Sequence, residues 1–262
     1  MTRYGFVIRI AARQQWVYRA EMAMRAVQMT LFIGVFMALW VSVFGITGKS
    51  DMEGYSLVDV VWYLAMTETI ALSSSRIFVE ISDEVKAGNL AYTLARPLSY
   101  PWYQVANSLG NSAPRFLINL LTAALVAGIG MRQVGGSLPG LLAFVGMAGL
   151  ALLLDALVAV LIGLMAFWIE EVMPIFWIYQ KLLFTIGGMF LPLEMFPGWL
   201  QRLSKWLPFQ FITYVPARSF VAFELEFVLR AVIGQMVYIA IMVVLVTMVW
   251  RRARRRLVVH GG

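Results

Sequence analysis

Cysteine is absent from these 262 residues, and histidine occurs once, at His260. The first absence excludes disulfides, thiolate metal sites and cysteine nucleophiles. The second removes imidazole acid–base chemistry and zinc ligation from everything before the tail, so no metal site is expected. Charge is scarce as well: 13% of residues are Asp, Glu, Lys or Arg against 61% hydrophobic, and the mean hydropathy is +0.79. That balance excludes an ordinary soluble domain and indicates a polytopic membrane protein. A nucleotide site is missing too. Thr47-Gly48-Lys49-Ser50 resembles the end of a phosphate-binding loop, but Val43 stands where that loop needs its upstream glycine.

What is present is a series of apolar runs at 26–46, 57–75, 102–130, 138–169, 172–193 and 227–250. Each reaches the ~20 residues a helix needs to cross the hydrocarbon core, and they are too long and continuous for barrel strands. The expected fold is therefore all-α, one transmembrane domain of six helices over residues 1–262. Residues 1–25 carry Arg3, Arg9, Arg13, Arg19 and Arg25 spread among Phe6, Ile10, Trp16 and Val17, a pattern for an interfacial helix rather than a cleaved leader. Residues 251–262 form a basic tail in which Arg251, Arg252, Arg254, Arg255 and Arg256 read as a stop-transfer anchor on anionic lipid. The net charge of +7 thus points to membrane lipids and not to nucleic acid. Arginine and lysine concentrate in the first, third and last hydrophilic segments, which places both termini in the cytoplasm of a cell or inner membrane.

Two connections are longer than turns. In the cytoplasmic segment 76–100, Ile77, Phe78, Ile81 and Val85 share one helical face, while Glu80, Asp83 and Glu84 share the other. Gly88-Asn89 is a helix stop, with a positive φ expected at Gly88, and Arg96-Pro97 closes the segment. The apolar stripe is expected to lie on the membrane interface or in a partner's groove, leaving the acidic face for a second contact. The outer insert 194–226 has Pro197 at a first helical position, followed by a stripe of Trp199, Leu200, Leu203, Trp206 and Leu207. It reads as a helix in the outer interface, with 209–223 too short to span and suited to a re-entrant path.

Within the spans stand Glu68, Asp155 and Lys181, with Asp59 nearer an end. A charge at the bilayer centre costs roughly 2.5–3.5 kcal/mol on insertion scales, so each needs a partner or a water-filled cavity. They are expected either to line a path or to pack as a pair of Lys181 with Asp155 or Glu68. Ala124-x-x-x-Gly128 and Ala159-x-x-x-Gly163 are small-residue ridges that permit close helix packing.

The chain resembles the membrane subunit of bacterial ABC transporters of the ABC-2 type. The resemblance is carried by Glu80-x7-Gly88-Asn-Leu-x3-Leu94-Ala-Arg96-Pro97-Leu98 after the second run. A second stretch, Phe190-Leu-Pro192-Leu-x2-Phe196-Pro197-x-Trp199-Leu followed by Trp206-Leu-Pro208-Phe-Gln210, carries it after the fifth. It covers essentially the whole chain. It implies that two permease subunits, identical or paralogous, pair, each with a cytoplasmic ABC ATPase that binds ATP and Mg, two ATPase copies in all. No cofactor is then held by this chain. The N-terminal helix and the segment after the second span would make the ATPase contact, with Ile77, Glu80, Ile81, Asp83, Glu84, Val85, Gly88 and Arg96 as coupling residues. Members mostly export drugs, lipids, peptides or polysaccharides, or remove ions.

Two other classes compete. A secondary, ion-coupled transporter would use Glu68, Asp155 and Lys181 as ion sites, but the paired broken helices it predicts are not recognisable. An intramembrane enzyme would have to rely on Asp59, Glu68 and Asp155, which form no local catalytic pattern.

Overall fold

A computed structural model describes residues 3–88 and 97–260, so Arg96 and the 89–96 stretch lie outside the described residues. In chain order the helices are α1 (Arg3–Gln15), α2 (Arg19–Thr47), α3 (Leu57–Ala71), α4 (Ile77–Lys86) and α5 (Tyr100–Met131). They continue as α6 (Leu138–Leu164), α7 (Met173–Thr185), α8 (Gly198–Lys205), α9 (Tyr214–Val221) and α10 (Leu225–His260). The only described strands are a two-residue hairpin, Asp51–Met52 with Tyr55–Ser56, on the α2–α3 connection.

Among the described residues four helices, α2, α5, α6 and α10, are long and apolar enough to cross a membrane. The expectation of six crossings meets two shorter elements. The 15 residues of α3 and 13 of α7 span about 22 and 20 Å at ~1.5 Å per residue, short of a ~30 Å core. Each stops for a local reason. Capped at its start by Ser56, whose hydroxyl accepts from the Asp59 amide, α3 runs out at Leu72 ahead of Ser73, Ser74 and Ser75. The end of α7 comes at Gly187-Gly188, with Gly188 at φ +70°.

Reading 172–193 as one continuous span is therefore corrected: the helix breaks after Thr185. Side-chain hydroxyls satisfy the carbonyls that the break sets free. Ile186 accepts from Ser204 Oγ at 2.5 Å, Gly187 from Thr213 Oγ1 at 2.7 Å and Met189 from Thr67 Oγ1 at 2.9 Å, while Gly188 accepts from the Tyr63 hydroxyl. Irregular backbone at membrane depth is tolerated only where protein supplies such partners, because an unpaired carbonyl there costs several kcal/mol. The break is a built feature.

The second half of α6 is buried, with Ala151, Leu154, Leu157 and Val160 all at 0% exposure, and Val60, Tyr63 and Ala65 of α3 lie equally deep. By contrast α2, α5 and α10 present exposed apolar rows, such as Leu31, Val35 and Leu39 on α2. Helix α10 continues to His260, so the basic cluster rides on the last helix and is not a separate tail.

The amphipathic α1 lies along α5. A Cβ added at Gly110 would fall 2.6 Å from Ala11 Cβ, so only glycine lets the two helices approach this closely. Gln15 donates to Asn111 at 3.1 Å and accepts from Arg115 Nε at 3.2 Å. The expected anchors Phe6, Ile10, Trp16 and Val17 face outward, all exposed. Helix α8 exposes Trp199 and Leu203, and Trp206 just past its end is exposed too. Residues 209–223, expected to be re-entrant, form a short 3-10 turn and α9, whose Val215, Ala217 and Phe220 are buried against α3 and α6. Glu194 pins this insert, accepting from the Tyr214 hydroxyl at 2.6 Å and from Arg218 Nε at 3.0 Å. Burial and the neighbouring Glu194 push the Tyr214 hydroxyl far above its usual range.

Candidate functional site

A cavity of about 740 Å³ opens between α2, α3, α6 and α7. Glu68 of α3 and Asp155 of α6 both stand in its wall, 2% and 5% exposed. Asp155 accepts from the Tyr179 hydroxyl at 2.6 Å and is also bonded by Ser74. Glu68 Oε1 is buried and has no hydrogen-bond partner among the described residues. On α7 the wall is formed by Phe176, Gln180 and Phe184, which recur at i, i+4 and i+8 on one face. Met189 and Phe190 from the broken end of α7 and Phe32 of α2 continue it. Phe190 stacks on Phe36 at 5.5 Å between centroids and packs against Phe184 at 4.9 Å. Towards its edge the wall becomes charged. Arg25 pairs with Glu21 at 2.7 Å and donates to the Leu72 carbonyl at 3.2 Å, and Arg115 lies 3.8 Å from Glu21.

The structure brings two of the three expected intramembrane charges together and sends the third elsewhere. Lys181 is exposed, its Nζ 5.3 Å from the centroid of the Phe184 ring. The expected Lys181 pair with Asp155 or Glu68 is not formed. The reason is helical phase: Lys181 follows cavity-lining Gln180 by one residue, about 100° around the helix. The hydroxyl of Tyr179 takes the place that the sequence reading gave to the lysine.

The segment after α3 also differs from expectation in one respect. Helix α4 forms where its pattern predicted, and Gly88 closes it at φ +67°. Its apolar stripe, however, is no docking face for a partner or the bilayer. Ile77, Phe78 and Ile81 are 0% exposed inside the chain itself, and Val85 packs against the same core. Ile81 lies against Gly163 of α6, where a Cβ would come within 2.8 Å of the isoleucine Cβ. Phe78 stacks on Phe176 of α7 at 4.1 Å between centroids. The Ala159-x-x-x-Gly163 ridge thus has a specific use, seating α4, whereas a Cβ added at Gly128 would meet only Trp62 within 4 Å, at 3.9 Å.

The acidic face divides. Glu84 accepts from the Tyr100 hydroxyl at 2.6 Å and from Gln104 at 3.1 Å, which ties α4 to α5. Glu80 accepts from Asn107 at 3.3 Å and borders the cavity. Its carboxyl is solvent-accessible but recessed, and crowding by surrounding protein, with Glu84 nearby, pushes it above the usual carboxylate range. Asp83 stays exposed, and so does Lys86, which bridges to Glu171 at 2.7 Å. Arg25, Arg115, Tyr179 and the phenylalanine wall were missed by the sequence reading. The i, i+4, i+8 spacing of Phe176, Gln180 and Phe184 was the signal that could have found the wall.

Residues 23–261 match the family of ABC-2 family transporter proteins, and the chain belongs to that family. No curated protein matches it. The chain is a multi-pass membrane protein and a permease of an ABC transporter, a class that works with an ABC ATPase.

Proposed function

We propose that the chain is the permease subunit of an ABC exporter that forms its translocation path with a second permease, identical or paralogous. Two copies of a cytoplasmic ATPase would supply ATP hydrolysis, with ATP and Mg bound there and no enzymatic activity in this chain. In this reading α3 and α7 complete their crossings through the non-helical segments that follow them, giving six passes with both termini in the cytoplasm. α1 and α8 lie in the inner and outer interfaces. The domain is a single unit over residues 1–262, with 76–100 as its coupling segment.

The observation that carries the reading is the seating of α4. Its inner face is locked into α6 by Ile81 and into α7 by Phe78, and its outer end presents Asp83 and Gly88. A push on that end by a partner would move a rigid element whose Phe78 stacks directly on the cavity-lining Phe176. Tight packing transmits such a displacement because close-packed interiors do not deform gradually. A second reading, an ion-coupled carrier, draws on the burial of Glu68 and Asp155, although Lys181 no longer belongs to its ion set.

The test is co-purification from native membranes, followed by hydrolysis in lipid. The permease reading expects a separate ATPase subunit to accompany the chain and the chain alone to hydrolyse nothing. Transport that persists without any ATPase and follows an ion gradient would establish the carrier instead.

A further inference from the structure

We infer that the cavity between α2, α3, α6 and α7 binds a lipophilic organic cation, with Glu68 as its counter-charge and phenylalanine rings as its walls. The inference rests on reading the chain as a translocation subunit. At about 740 Å³ the cavity suits a drug-sized molecule. Its edge, where Arg25, Arg76 and Arg115 stand with Glu21 and Glu80 and both Arg25 and Arg115 approach Glu21, at 2.7 and 3.8 Å, is well supplied with cationic groups. Its interior is not. Glu68 is 2% exposed, its Oε1 has no hydrogen-bond partner among the described residues, and Asp155 accepts from the neutral Tyr179 hydroxyl. Burying two carboxylates without a countercharge is costly, and a bound cation offsets that cost.

The remaining wall decides the kind of cation. Phe32, Phe176, Phe184 and Phe190 line it, together with Met24 and Met189. Aromatic rings attract a delocalised cation and bury its apolar surface, whereas a hard metal ion needs several oxygen ligands. Among the described residues no group of three or more His, Cys, Asp or Glu side chains could hold a metal. An anion drawn to the arginines at the edge would still have to lie against Glu68 and Asp155 to fill the interior.

The experiment titrates the full chain, in nanodiscs of neutral phosphatidylcholine, with tetraphenylphosphonium and with its near-isosteric anion tetraphenylborate, against empty nanodiscs. Saturable binding of the cation alone is expected, weakened by roughly tenfold or more in Glu68→Gln, which keeps side-chain size and removes the charge. Lys205→Gln, on the exposed outer helix, should bind as the unaltered chain does. Gln180→Arg places a guanidinium on the cavity wall without touching Glu68 and should abolish binding, so the test survives if Glu68→Gln fails to fold. Equal binding of tetraphenylborate, no saturable binding of either ion, or unchanged affinity in both variants would overturn the inference. ATPase retention is scored in the same preparations. Loss of cation binding with the ATPase attached overturns the inference alone, and cation binding by a chain that never associates with an ATPase overturns the permease reading alone.

Discussion

Asp155 and Lys181 show what a single side chain's phase on a helix decides. Both were visible in the sequence as rare intramembrane charges, and insertion cost alone argued for pairing them. The sequence did not reveal that α7 turns Tyr179 and Gln180 inward and Lys181 outward, because a helix apolar on every side has no hydrophobic stripe to fix its rotation. Two predictions follow from the observed contacts. Lys181→Met should change thermal stability by no more than about 0.5 kcal/mol, and its effect should add to that of Asp155→Asn in a double-mutant cycle. Tyr179→Phe removes a buried donor from Asp155 and should cost on the order of 1–3 kcal/mol, with clear non-additivity against Asp155→Asn. Thermal melts of the three single and two double variants in one detergent measure both.

At the scale of elements, α4 was the most legible part of the chain, and its use was the least. Its apolar and acidic faces, its length and the glycine stop are all local properties, and each stands where the pattern put it. Which surface receives the apolar face is a long-range fact, set by the gap that Gly163 leaves on α6. Ile81→Asp should therefore lower stability and membrane yield by burying an unpaired carboxylate at a cost of several kcal/mol, and should not act as a selective uncoupler. Gly163→Leu should do the same from the other side of the contact. The close approach of α1 to α5 gives a parallel prediction. Gly110→Val would force Ala11 and the Ile8 backbone away, so hydrogen exchange over residues 3–15 should quicken while that of α6 is unchanged. The break in α7 was also readable, from Gly187-Gly188, but a long apolar run masked it. The hydroxyls that satisfy the break come from Tyr63, Thr67, Ser204 and Thr213, too far away in sequence to signal it.

Across the whole molecule, the family and the membrane-spanning helical fold were legible because hydropathy is additive along the chain and the motifs after the second and fifth runs are local. The cavity was not, because it is assembled from four helices whose facing residues no periodicity links. The central claim is that the exposed end of α4 receives a cytoplasmic ATPase, and Asp83 is the residue to question. It is exposed, makes no contact that the fold needs, and the chain has no cysteine to interfere with labelling. Asp83→Cys, carrying a short photoactivatable cross-linker, should attach to an ATPase subunit in native membranes and stop its transport-linked hydrolysis. The same group at Lys205→Cys, on the outer helix, should attach to none. Cross-linking of the ATPase from Lys205→Cys but not from Asp83→Cys, or none from either in membranes that retain the complex, would contradict the account.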